Sequence, residues 1–361
     1  LARIDPWSAE GIKNYERVFR EFGLKPLPET WRSELNHRFF SRGIIVAHRD
    51  FAKVLTVIRK SKPFINMTGI ASSGPYHLGH KCIVDIFMFF KQFGAKNYFC
   101  VSDIDAYTSR PDRVVPNIEA AKRNAVNNVA HLLAFGLNRK DLYLQSKKEP
   151  RYYEFTFELS KKITRNMFEA VYGHVDLGKM SAALLQFADI LHPQLPEYEG
   201  CMPSITVVGV DQDPHARLVR DIARRLPYEL ELPSFLYIKH QSGLQKGTKM
   251  SSSVKDSAIF LDDPPEVAKR KIMRAFTGGQ PTIKEQREKG ANVEICKVCE
   301  LLRYHFPDDK TVNKILEEER TGKRLCGETK EFAADFICSF LEKHQSKVRK
   351  KLSVAERIVF G

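Results

Sequence analysis

The sequence predicts an α/β fold: a parallel sheet with covering helices, followed by an α-helical C-terminal domain. Two observations predict it. Short apolar strand-like runs each end in a polar turn and lead into a helix, and no further strand signal follows Pro264. The chain has 361 residues, 43% of them hydrophobic and 28% charged, which is enough for two cores in a globular protein.

The first strand is read from the apolar run through Phe64, Ile65 and Met67, with a turn from Gly69 to Gly74-Pro75. The helix expected from His80 to Phe93 carries Cys82, Ile83, Ile86, Phe87, Phe89 and Phe90, too many apolar faces for a surface helix, and Gly94 ends it. A second buried strand runs from Tyr98 to Val101 into the group Asp103, Asp105 and Tyr107. A third, Ile205 to Val210, is β-branched, and Asp211-Gln212-Asp213 then leads into a helix begun by Pro214. Ligands of such sheets bind at the carboxyl ends of the strands, so these polar turns are expected to build the site. Beyond Pro264, Leu301, Leu302, Ile315, Leu316, Phe332, Phe336 and Phe340 recur among charged residues in a helical pattern.

The formal charge of +14 suits a polyanionic partner, although a solvated basic surface fits the charge equally well. No apolar stretch is long enough to span a bilayer, and residues 1–25 lack the apolar centre of a secretory signal, so a cytoplasmic location is expected and no membrane. Seven cysteines, an odd number scattered over a long chain, argue for reduced thiols and against a disulfide scaffold.

Two segments carry chemistry. Pro75-Tyr76-His77-Leu78-Gly79-His80 stands where the first strand's loop enters a helix. Two histidines three apart share one face of a helical turn, the helix N-terminus offers free backbone N–H groups, and Gly79 leaves room for a close-lying nucleotide. The other reading is that His77 and His80 simply cap or pack the turn. Gly247-Thr248-Lys249-Met250-Ser251-Ser252-Ser253 is a Gly- and Ser-rich loop that reads either as a linker or as a lysine aimed at departing pyrophosphate.

His-Leu-Gly-His early and Lys-Met-Ser-Ser-Ser downstream resemble the paired HIGH and KMSKS signatures of class I aminoacyl-tRNA synthetases. Three further segments are similar to the tryptophanyl-tRNA synthetases of archaeal and eukaryotic type: Gly209 to His215 with Arg217, Arg220 and Asp221; Phe276 to Thr282 with Lys284 to Arg287; and Phe40 to Ile44 through His48 to Phe51. The resemblance implies a Rossmann-like catalytic domain over 61–263 with inserted dimerisation and pocket helices at about 150–200. Around it stand an N-terminal extension over 1–60 that helps close over ATP and a helical anticodon-binding domain over 264–361. It also implies ATP, Mg²⁺, L-tryptophan and tRNA(Trp) as partners, RNA and not DNA as the nucleic acid, and a homodimer. His77, His80 and Lys249 would be catalytic. Gly74, His77, Gly79, His80, Lys249, Met250, Ser251, Ser252 and Ser253 would bind ATP.

The amino-acid pocket departs from that group. Met67 and Cys100 stand where a tyrosine and a glutamine are expected to meet the indole N–H, and both are weak acceptors. Gln186-Phe187-Ala188-Asp189-Ile190-Leu191 resembles the bacterial tryptophan enzymes, which implies that Asp189 accepts the indole N–H. Gln186 and Gln212 would hold the α-amino group, with Asp105 also in the pocket; a helix cap before His192-Pro193 is the structural alternative for Asp189. A tyrosine-specific relative, a small-molecule nucleotidyltransferase and a silent RNA-binding relative remain as rivals.

Two motifs fail. Gly69 and Gly74 have P-loop spacing, but Pro75 stands where the lysine belongs. Cys296 and Cys299 form a CxxC that could bind zinc with His305 or Cys326, yet no second CxxC exists. Packing cysteines or one disulfide to Cys326 are preferred, and no metal ligand is assigned. The basic residues Lys343, Lys347, Arg349, Lys350 and Lys351 fit either RNA phosphates or a solvated helix face.

Overall fold

The computed structural model describes residues 15–174, 176–247, 250 and 257–361. Seven strands form one sheet: β1 Lys25–Pro26, β2 Ile45–Arg49, β3 Ile65–Ala71, β4 Lys96–Ser102, β5 Leu142–Leu144, β6 Ser204–Gly209 and β7 Ser234–Ile238. Their order is β1-β2-β7-β6-β3-β4-β5. The five strands β3 to β7 are parallel, and β2 adds to β7 in the antiparallel sense.

The order in which the chain adds strands reverses between β3 and β6, from β3-β4-β5 on one side to β6-β7 on the other, and an open α/β sheet places its ligands at such a point. Pairing there stops early. β3 meets β6 only from Ile65↔Ser204 to Met67↔Thr206, while it follows β4 through Ala71↔Ser102. A crevice therefore opens at the carboxyl ends of β3 and β6.

β3 is longer than the sequence suggests. Gly69, expected in the turn, lies inside the strand, because a side chain there would come within 2.9 Å of the Cys100 Cβ and 3.3 Å of its carbonyl. The missing Cβ lets two strands approach; it does not mark a bend. Side chains alternate across the sheet as the strand period requires. Leu236 and Ile238 share a core with helices 51–59 and 78–91, while Phe235 and Tyr237 face helices 150–160, 177–191 and 213–223.

After β7 the described chain is helical in its regular structure, from Pro265–Met273 to Leu352–Phe360. Its core is continuous with the sheet: Leu302, Ile337, Leu341 and Val359 cluster with Ile70, Phe99 and Val101 through helix 118–135. Among the described residues no helix is long and apolar enough to cross a membrane.

Candidate active site at the strand ends

The histidine segment forms the head of helix Leu78–Lys91. His77 is its N-cap, and its Nδ1 accepts from the Gly79 N–H at 3.1 Å. His80 reciprocates, its Nδ1 accepting from the His77 N–H at 3.2 Å, and the two rings stack at 3.8 Å. Each ring thus spends Nδ1 as an acceptor, which leaves Nε2 as the protonated nitrogen of the neutral form. Burial, with Arg110 adding, holds the His80 imidazole down to about 4, so it is neutral near pH 7.

One expectation is overturned here. The first N–H groups of this helix are not free: Leu78 N–H donates to the Ile259 carbonyl at 3.0 Å, Gly79 N–H to His77, and His80 N–H to the His77 carbonyl at 2.9 Å. The motif satisfies its own helix terminus. A side chain on Gly79 would meet the His77 ring at 2.9 Å, so the glycine makes room for that imidazole. Gly74 faces open space.

The downstream signature loop reaches the same place at both of its described ends. Phe260 forms a bridge with His77, Leu261 N–H donates to the Tyr76 carbonyl at 2.8 Å, and the Met250 sulphur lies 3.8 Å from the position of a Cβ on Gly79. Lys249, Ser251, Ser252 and Ser253 lie outside the described residues. Next to this turn stands Arg110, whose buried Nε has no hydrogen-bond partner among the described residues. The sequence offered no signal for it.

The acidic centre of the site is Asp189, 2% exposed. It lies within helix Leu177–Leu191 and does not cap it. Its Oδ1 accepts from the hydroxyls of Tyr143 at 2.8 Å and Tyr152 at 2.7 Å, and its Oδ2 accepts from the Gln145 amide at 2.8 Å. Burial pushes its carboxyl up, and these donors, with the Cys100 thiol, pull it back. Gln145 also accepts from the Asp105 N–H at 2.9 Å, which fixes its amide between two walls of the site.

Met67 and Cys100 are buried together beneath this cage with Ile65, and Cys100 accepts from the Ser102 hydroxyl at 3.1 Å. Burial pushes the Asp105 carboxyl up to about 6, against a hydrogen bond from Ser109 and the charge of Arg110. Gln186 sits one turn before Asp189, on the same helix face. Gln212 caps helix Asp213–Ala223 at the end of β6. Asp103, by contrast, is structural: it is fully buried and accepts from the Ile104 and Ser146 N–H groups and the Ser146 hydroxyl. Tyr143, Gln145 and Tyr152 were absent from the sequence reading.

The acidic-Gln turn is tied to the N-terminal strands. Asp213 pairs with Arg49 at 2.8 Å and Arg217 at 3.1 Å and accepts from Tyr237 at 2.6 Å, while Arg220 pairs with Asp50. Gly209 lets His240 fold onto Asp211, with His240 Nε2 2.8 Å from the carboxylate; a Cβ on the glycine would sit 2.4 Å from that ring.

Residues 59–342 match the family described as tRNA synthetases class I (W and Y). The tryptophan–tRNA ligase of Aeropyrum pernix is 41% identical over 367 residues, covering 99% of this chain and 98% of that protein. The tryptophan–tRNA ligase of Methanocaldococcus jannaschii is 35% identical over 372 residues, covering 100% and 99%. The crystal structure of tryptophanyl-tRNA synthetase from Aeropyrum pernix superposes with a TM-score of 0.89 over 98% of both chains.

Proposed function

The chain belongs to the class I tRNA synthetases of tryptophan and tyrosine, and from that premise we propose that it acts as a tryptophan–tRNA ligase through the residues gathered at the ends of β3, β4 and β6. ATP and L-tryptophan give tryptophanyl-adenylate and diphosphate, and tRNA(Trp) then takes the amino acid and releases AMP. The observation that supports these roles is the meeting of the two signature segments: Phe260 pairs with His77, and Met250 lies beside Gly79.

The tryptophan carboxylate attacks the α-phosphorus in line, and the catalyst's work is positioning and charge stabilisation. With its N–H groups already engaged, the helix head meets phosphate oxygens through its histidine rings, His80 being the neutral one, with Nε2–H as its donor. Arg110, and Lys249 by its place in the motif, would stabilise the charge that builds on departing diphosphate. Met250 and Gly79 pack the floor of this region, Gly74 leaves open space above it, and Ser251, Ser252 and Ser253 add hydroxyl donors.

Asp189 takes the indole N–H. Three strong donors occupy three of its roughly four acceptor positions, and the Cys100 thiol, a weak donor, is the one the indole displaces. Met67 lines the apolar side of the ring. Gln186, Gln212 and Asp105 face the α-amino group. Mg²⁺ bound to ATP would neutralise phosphate charge; among the described residues no carboxylate cluster forms a dedicated cage for it at the strand ends, so phosphate oxygens would be its main ligands.

The protein would work in the cytoplasm, as its free thiols suit. Its exposed Phe157 and Leu177, on helices 150–160 and 177–191, support a homodimer contact in this region. The exposed basic residues Lys343, Lys347, Arg349, Lys350 and Lys351 support RNA contact by the C-terminal helices. Amino-acid-dependent exchange of diphosphate into ATP, run with tryptophan and tyrosine in parallel, tests the reading. Exchange with tryptophan alone is expected; exchange with tyrosine alone, or with neither, overturns it.

A further inference from the structure

From the buried cluster of Cys296, Cys299 and Glu319 in the C-terminal helices, we infer that this protein binds a structural zinc ion there. The sequence assigns no metal to the CxxC, because it lacks a second cysteine pair. The fold supplies the missing partner from another helix. Glu319, on helix Asp309–Arg320, brings its carboxylate to the two thiols, and the three ligand atoms all lie within 4.8 Å of one another.

Tetrahedral zinc with Zn–S near 2.3 Å and Zn–O near 2.0–2.2 Å needs ligand atoms about 3.5–3.8 Å apart, so a small side-chain adjustment closes the site. All three residues are essentially removed from solvent: Cys296 is 1% exposed, Cys299 and Glu319 0%.

The carboxylate is the telling group. Its Oε2 receives only the Cys299 thiol, at 3.0 Å, and its Oε1 has no hydrogen-bond partner at all among the described residues. No lysine, arginine or histidine of the described residues pairs with it, although its neighbours Arg320 and Arg324 pair elsewhere. A buried carboxylate needs a cation, a proton or a full set of donors. A divalent ion held also by two thiolates satisfies it, and zinc is the soft-tolerant divalent ion that sulphur and carboxylate share.

Cys296 and Cys299 suit that role. Cys296 caps helix Lys297–His305, its sulphur accepting from the Cys299 N–H at 3.4 Å, so both sulphurs stand together at one helix N-terminus. The fourth ligand is water; Cys326, which opens helix Cys326–Arg349, is not part of the cluster, and its sulphur is held by the Gln286 amide at 3.3 Å.

Zinc here would clamp two helices and reach the site through two backbone links. Lys297 N–H donates to the Phe276 carbonyl at 3.0 Å, and Phe276 N–H to the Leu244 carbonyl at 2.9 Å, at the base of the signature loop.

The test is metal content of the whole chain purified without chelator, followed by cobalt substitution. About one zinc per chain is expected, and Co²⁺ should give the sulphur-to-cobalt charge-transfer absorption of a tetrahedral thiolate site. Cys299→Ser should abolish that absorption, and Glu319→Gln should weaken metal retention by at least tenfold while keeping a thiolate band. Should either variant fail to fold, the wild-type spectra decide. Absence of both zinc uptake and cobalt bands after incubation with equimolar metal, or a Cys296–Cys299 disulfide found by mass spectrometry in protein kept under reducing conditions, overturns the inference.

Discussion

Asp189 shows how one buried side chain can be a structural joint and, in the proposed reaction, a recognition group as well. Tyr143, Tyr152 and Gln145 reach it from β5, helix 150–160 and the short turn between them, so the carboxylate knits three elements while its last acceptor position is held only by the weak Cys100 thiol donor. Asp189→Asn keeps the volume but removes the charge that strengthens every one of these bonds. KM for tryptophan in diphosphate exchange should rise at least ~10-fold, about 1.4 kcal/mol, with KM for ATP unchanged. Equal losses for both substrates would make the residue structural only. Asp105 gives a second expectation. Its carboxyl, pushed up to about 6 by burial, ionises as pH rises through that value and becomes a partner for the α-ammonium. KM for tryptophan should therefore fall between about pH 5 and 7, and Asp105→Asn should flatten that profile. Asp189 and Asp105 could be nominated from the sequence because they sit in recognisable local strings. Tyr143, Gln145, Tyr152 and Arg110 were not, since their roles exist only once separate elements are brought together, and no spacing along the chain encodes that meeting.

At the scale of elements, the head of helix 78–91 and the segment 259–261 act as a unit. The second is gripped by the C-terminal helices: the Gln345 amide donates to the Leu261 and Asp263 carbonyls, each at 2.9 Å, and Lys271 bonds Asp263 at 2.7 Å and the Ala258 carbonyl at 2.9 Å. Gln345→Ala leaves both carbonyls without that donor. Thermal or urea denaturation should show a loss of about 1–2 kcal/mol, and the exchange rate should drop several-fold while tryptophan KM holds. A loss of stability without a rate effect would uncouple the grip from catalysis. The central strands, the long helix and the helical C-terminal part were readable because buried parallel strands are continuous apolar runs. β2 and β7 were not singled out. β2 is an Ile-Val-Ala-His-Arg string whose extended form is decided by pairing with β7, a contact nearly two hundred residues away. Gly69 misled for a similar reason: a glycine required by a neighbouring strand looks the same in sequence as one required by a turn.

Across the whole molecule, the histidines decide the response to acid. Burial is the first cause in each case: it holds His37, His48 and His80 down to about 4 and His215 and His344 to about 3. His344 stacks against His131, which bonds Asp262 at 3.0 Å and so joins the C-terminal helix to the chain just beyond the signature loop. In the unfolded chain these imidazoles take up protons near pH 6.5. Between there and their folded values the unfolded state binds more protons, so stability falls as pH falls, and the loss levels off only once the folded rings also protonate, near pH 4 for three of them and near 3 for two. Asp262 acts in the same direction. Burial would raise its carboxyl, yet the bonds from His131 and Asn127 bring it below its ordinary value, and what it contributes is lost as pH falls through that depressed value. Asp105 and Asp189 oppose the trend, since both are raised by burial and gain a proton in the folded state first. Five histidines outweigh two carboxylates. The midpoint of thermal unfolding should therefore drop steadily from pH 7 to pH 4, and His344→Gln, which removes one buried imidazole while leaving a donor for His131, should make that drop shallower. A midpoint that stays level from pH 7 to pH 4 would mean that these rings are solvated and titrate as in the open chain.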